Sequence, residues 1–100
     1  MRPEYIRVKL PNRKKSEIFA VAEQLLGGSR LIAMCEDGKS RMARIPGRMK
    51  RRMWIRVGDL LIIKPWEFQD EKADVAYRYT KTQAYYLSKK RKLPEIIDVF

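Results

Sequence analysis

Histidine is absent from this 100-residue chain, and cysteine occurs once, as Cys35. The usual zinc sites cannot be assembled from such a set, no disulfide can form within the chain, and the commonest general base near neutrality is missing. Acidic residues are scarce: 12 stand against 23 Lys plus Arg, for a net charge of +11 and a sequence pI near 10.1. No apolar run approaches the roughly 20 residues needed to span a bilayer. The start, Met1-Arg2-Pro3-Glu4-Tyr5, never develops the apolar block of a secretory signal. These absences fit a cytoplasmic protein in a reducing compartment and leave only carboxylates, lysine or tyrosine for catalysis. No cofactor or metal is expected. A magnesium-dependent nuclease would draw on Glu36, Asp37, Asp59 or the cluster Glu67, Asp70, Glu71 and Asp74, yet most carboxylates sit beside turn signals such as Asp37-Gly38 and Asp70-Glu71-Lys72. We read the chain as no enzyme. Cys35, within an apolar-polar alternation, reads as a small buried residue.

What remains is enough for one domain. The apolar share of 45% excludes disorder, and a chain this short builds one modest core without a deep cleft. Charge is segmented along it. Residues 1–16 hold six basic side chains against Glu4 and read as a mobile basic N-terminal arm. Residues 17–80 read as strands. Ile18 to Leu26 and Arg30 to Glu36 flank the Gly27-Gly28-Ser29 turn, and Asp37-Gly38 turns the chain into a third strand, Lys39 to Ile45. The run Leu60-Leu61-Ile62-Ile63 predicts a strand covered on both faces or closing a barrel. Val75, Tyr77 and Tyr79 alternate with polar or small residues in a fifth strand. Thr80 and Gln83 match a capping box, predicting a helix over 81–92 with Ala84 and Leu87 facing the body, followed by a tail over 93–100. The pattern is all-β with a C-terminal helix, and it resembles the five-stranded Greek-key barrel of the OB-fold, with an SH3-like barrel also allowed by spacing.

Between Lys39 and Arg56 stand eight basic residues and no acidic one. Six are arginines, whose guanidinium forks suit phosphate oxygens, so RNA is the natural partner. The loop from Arg48 to Arg52 is the centre of this reading. Arg41 and Arg44 would point to opposite faces of a regular strand unless a bulge intervenes. Trp54 reads equally as a ring that stacks on a base or as core; Trp66, Phe68, Tyr77 and Tyr79 could share a barrel face, although Tyr77 and Tyr79 read as mostly structural.

The segments Gln24-Leu25-Leu26-Gly27-Gly28-Ser29-Arg30, Met34-Cys35-Glu36-Asp37-Gly38, Ile45-Pro46-Gly47-Arg48-Met49-Lys50-Arg51-Arg52-Met53-Trp54-Ile55, Gly58-Asp59 and Lys72-Ala73-Asp74-Val75 follow one another in order. Together they resemble the archaeal type of the translation initiation factor 1A family over roughly residues 13 to 94. The resemblance implies an OB-fold that binds the small ribosomal subunit at the A site near the decoding centre and promotes initiator tRNA and mRNA recruitment. It implies ribosomal RNA contacts from Arg48, Lys50, Arg51, Arg52 and Trp54, with Arg41, Arg44 and Lys64 flanking and Arg13, Lys14 and Lys15 reaching along the RNA. The long acidic tail of eukaryotic members is missing. In its place Ile96, Ile97, Val99 and Phe100 are expected to dock on the subunit-joining GTPase, factor 5B. A monomer is expected, with no membrane partner. The competing readings are a general single-stranded RNA-binding OB-fold protein or RNA chaperone, and a structural ribosomal protein.

Overall fold

The computed structural model describes residues 8–50 and 55–100. Five strands, β1 (Ile18–Gly27), β2 (Arg30–Cys35), β3 (Ser40–Arg44), β4 (Leu60–Pro65) and β5 (Lys72–Arg78), close a barrel in the order β1-β2-β3-β5-β4. This is the Greek-key order of the OB-fold. All pairings are antiparallel except β3 with β5, the parallel seam that closes the sheet. Both hairpins form where the turn residues require them. At Gly38 φ is +84°, and a Cβ there would lie 3.4 Å from Ile96 Cδ1, so glycine serves the turn conformation and the passage of the C-terminus over it.

The barrel interior is narrow because alanine fills it at Ala20, Ala22, Ala33, Ala43 and Ala73, leaving Leu31, Leu61, Ile63 and Val75 to supply the bulk. One short helix, α1 (Gly47–Lys50), follows β3, and its Met49 joins Ile55 in that core. The sequence reading has a loop here; a single helical turn forms instead and sends Met49 inward.

A second core lies outside the barrel, under α2 (Lys81–Lys89) and the C-terminal segment. Phe19, Leu60, Ile62, Tyr79, Ala84, Leu87, Leu93 and Ile97 build it. The continuous run in β4 is thereby explained. Leu61 and Ile63 face the barrel interior while Leu60 and Ile62 face α2, all four essentially inaccessible, and each such burial contributes about 1.5–3 kcal/mol. β5 reaches both cores by a register shift: Ile63 pairs with Val75 but Ile62 with Tyr77, which moves the tyrosines to the outer core. Tyr77 and Tyr79 stack edge to face with ring centroids 4.9 Å apart.

Helix α2 begins with the predicted box: Thr80 accepts from the Gln83 N–H at 3.1 Å and the Gln83 side chain accepts from the Thr80 N–H at 2.9 Å. It ends at Lys89, three residues earlier than the sequence suggests. The N–H of Arg91 donates to Ser88 and that of Lys92 to Leu87, closing a Schellman turn with Arg91 at φ +55°.

The expected mobile arm needs a second correction. From Val8 onward the chain lies against the barrel: Val8 packs on the outer core, and the Tyr79 hydroxyl donates to the Lys9 carbonyl. Asn12 caps a 3-10 turn over Arg13–Lys15, and Arg13 Nη1 reaches Glu36 at 2.7 Å. Residues 1–7 lie outside the described residues. Among the described residues no helix is long and apolar enough to cross a membrane.

Candidate nucleic-acid interface

The parallel seam places three charged residues in one row. Arg44 on β3 pairs in register with Asp74 on β5, which pairs with Lys64 on β4. Arg44 and Lys64 face solvent, so the pleat alone sets them on the outer surface of three adjacent strands. Arg44 Nε donates to Asp74 Oδ1 at 3.1 Å, which steadies the guanidinium while leaving it 63% exposed. Lys15, from the turn before β1, and Arg48, from α1, complete the rim of a shallow concavity of about 530 Å³ that also includes Glu17, Pro46 and Asp74.

Trp66 borders this surface. Arg44 lies 5.7 Å and Lys72 5.5 Å from its ring centre, and its Nε1 is buried with no hydrogen-bond partner. Trp66 thus continues the charged row with an aromatic wall. A surface that combines guanidinium and ammonium groups with a flanking ring suits phosphate contacts and base stacking, the two interactions that recur in single-strand recognition.

Of the residues expected to bind RNA, Lys15, Arg44, Arg48 and Lys64 come together here. Arg51, Arg52, Trp54 and the Lys50 side chain lie outside the described residues. Lys14 stands exposed in the same turn as Lys15, while Arg13 turns to Glu36. Arg41 departs from the expectation. Its side chain is 3% exposed and closes the barrel end opposite α1, donating to Asp37 at 3.0 and 2.8 Å, to Asp70 Oδ2 at 2.9 Å and to the Asp70 carbonyl at 2.6 Å. Hydrogen bonds from Arg41 hold both carboxyls below the usual carboxylate range, and the pair raises the guanidinium further above its already high value. Beneath it, burial pushes the Cys35 thiol up, which agrees with an inert core residue. Two of the four clustered carboxylates considered for a nuclease are held in ion pairs, Asp70 with Arg41 and Lys39 and Asp74 with Arg44. No group of three or more metal-ligating side chains occurs among the described residues.

The aromatic set also divides. Phe68 is 92% exposed at the β4–β5 loop, Trp66 borders the basic row, and Tyr77 and Tyr79 belong to the outer core, so these four rings form no common platform. The role of Asp74 escaped sequence reading because it depends on the non-local β3–β5 pairing. Its only local sign is the Lys72-Ala73-Asp74-Val75 run, whose members now separate into ring contact, core, arginine partner and core. The tail splits as well. Ile97 is 1% exposed, which removes it from the expected docking set; Phe100 packs on the outer core but stays half-buried, and Ile96 and Val99 remain exposed.

Comparison with known proteins agrees with this architecture. A solution structure of bacterial translation initiation factor one, from the Wolbachia endosymbiont of Brugia malayi, matches with a TM-score of 0.50 at 16% identity, over 66% of this chain and 79% of that one. The crystal structure of YjeQ from Thermotoga maritima matches with a TM-score of 0.54 at 14% identity, over 64% of this chain and 23% of that one. Both likenesses concern the fold. Sequence relatives are nearer: translation initiation factor 1A of Picrophilus torridus is 67% identical over 95 residues, covering 95% of this chain and 88% of the relative. That of Thermococcus kodakarensis is 53% identical over 93 residues, covering 92% and 80%. The family described as Translation initiation factor 1A / IF-1 matches residues 6–99. With the barrel and nearly the whole length in agreement, the chain belongs to the translation initiation factor 1A family, whose members are non-enzymatic initiation factors.

Proposed function

We propose that this initiation factor binds ribosomal RNA of the small subunit at the A site near the decoding centre, and that its occupancy there promotes recruitment of initiator tRNA and mRNA. The observation that supports this reading is the convergence of Lys15, Arg44, Arg48 and Lys64 on one concavity beside Trp66. Four cations from four separate segments meet there, and among the described residues Glu17 and Asp74 are the acidic groups that line it. Docking of this kind releases counterions from the RNA and so weakens steeply with salt. The basic segment Lys50, Arg51, Arg52 with Trp54 follows Met49 in the sequence and adds to the positive charge that favours RNA.

Equilibrium binding of the labelled protein to purified archaeal small subunits over a salt series tests the proposal. Saturable binding at one site that survives excess unstructured RNA is expected. Arg44→Ala and Lys64→Ala should each reduce the log–log salt slope by about one without loss of folding. Complete displacement by the competitor would overturn the A-site reading in favour of a general RNA-binding protein.

A further inference from the structure

The second core fixes which side of α2 faces water. Ala84 and Leu87 are buried, so Lys81, Tyr85 and Lys89 fall on one exposed stripe at four-residue spacing, and Lys90, Arg91 and Lys92 extend it through the Schellman turn. No acidic residue occurs from Val75 to Pro94. Among the described residues none of these five cations forms an ion pair, whereas Arg13, Lys39, Arg41, Arg44 and Arg78 all do. Lys89 and Lys90 instead lie over the Tyr85 and Tyr86 rings, 4.9 and 5.8 Å from their centres.

Helix electrostatics account for only part of this pattern. Cations in the last turn complement the dipole, but Lys81 stands in the first turn, where a positive charge is disfavoured. Arg91 adds a second, independent anomaly. It occupies the left-handed position after the helix, at φ +55°, where glycine is the unstrained choice. Helix stability therefore opposes the charge at Lys81 and any side chain at all at Arg91.

We propose that the solvent face of α2 and its terminal turn form a second RNA site, separate from the concavity beside Trp66, that takes the phosphate backbone of double-helical RNA. Single strands are held in grooves lined by rings. This face carries its cations in line along a rigid helix, with Lys81 and Lys89 about 12 Å apart. Such a shape meets the phosphate rows of a duplex, with lysine and arginine heads and the exposed Tyr85 hydroxyl as donors.

The test is fluorescence anisotropy of the full chain with a mixed-sequence RNA duplex of about 20 base pairs, slightly longer than the roughly 16 that a duplex-binding domain spans. Lys81→Gln/Lys89→Gln/Lys90→Gln should bind about ten-fold more weakly at about 100 mM salt, with the log–log slope reduced by about three. Arg91→Gly, which suits the turn, should lose about two-fold. Losses should multiply when the helix substitutions are combined with Arg44→Ala/Lys64→Ala. In the unaltered protein, duplex titration should shift the backbone amides of Tyr85, Lys89 and Lys90. Unchanged duplex affinity and slope in the helix variant, or amide shifts confined to Arg44, Lys64 and Trp66, would overturn the proposal. Preferential binding of a polyglutamate peptide to α2 would overturn it as well, pointing to an acidic protein. Because no arm uses ribosomes, failure of the A-site reading would leave this outcome unaffected.

Discussion

Arg41 and Arg44 stand three residues apart on β3 and do unlike work. Alternation along a regular strand foretells that they diverge, but which one turns inward depends on how the strand sits on its neighbours: Arg41 lies opposite buried Ala33, and Arg44 opposite exposed Arg30. Chemistry follows burial. Asp37 and Asp70 are 40% and 58% exposed and can be solvated if Arg41 is lost, whereas the Arg41 head has no comparable recourse. Arg41→Met should therefore cost little, while Asp37→Ala/Asp70→Ala, which leaves the buried guanidinium the Asp70 carbonyl but no counter-charge, should lower the urea midpoint clearly more. Both carboxyls titrate lower folded than unfolded, so their contribution is complete above about pH 4 and is lost as pH falls through the depressed values. The double variant should lack that acid dependence. A double variant as stable as the parent would show that the ion-pair cluster is dispensable.

Helix α2 shows how an element can be correctly placed and still end in the wrong place. Its start was legible because a capping box is local, with donor and acceptor both within Thr80 to Gln83. Its end was not, since Lys90, Arg91 and Lys92 are good helix formers and only the Arg91 dihedral stops them. The hairpins were legible for the same local reason, as Gly38 announces its own turn. The shift in β5 was illegible because nothing in Val75-Ala76-Tyr77 marks an extra residue, and the period-two pattern reads straight through it. The left-handed arginine has a thermal consequence. Arg91→Gly should raise stability by about 1 kcal/mol, measured as a higher denaturation midpoint at unchanged m-value. Destabilisation would mean that the arginine stem holds the turn through packing.

At the scale of the molecule, β4 is the hinge of the architecture, with the barrel core on one side and the α2 core on the other. The run Leu60 to Ile63 made this legible, and the clustering of basic residues made an RNA-facing surface legible. The return of the C-terminus was not, because Leu93 to Phe100 has no period to reveal which side chains turn inward. The 3-10 turn over Glu95–Ile97 lies against β1 and buries Ile97, while the Ser88 hydroxyl donates to Asp98 at 2.7 Å. Deleting residues 95–100 therefore removes part of a core along with any docking peptide. Truncation should cost about 2–4 kcal/mol of stability, whereas Ile96→Asp/Val99→Asp, at 55% and 71% exposure, should stay within about 0.5 kcal/mol of the parent. If the tail engages factor 5B, as family resemblance suggests, the exposed pair must supply the contact. The double aspartate variant should then lose roughly ten-fold in affinity for that GTPase, equivalent to about 1.4 kcal/mol, while remaining folded. Undiminished binding would mean that the tail serves the outer core alone.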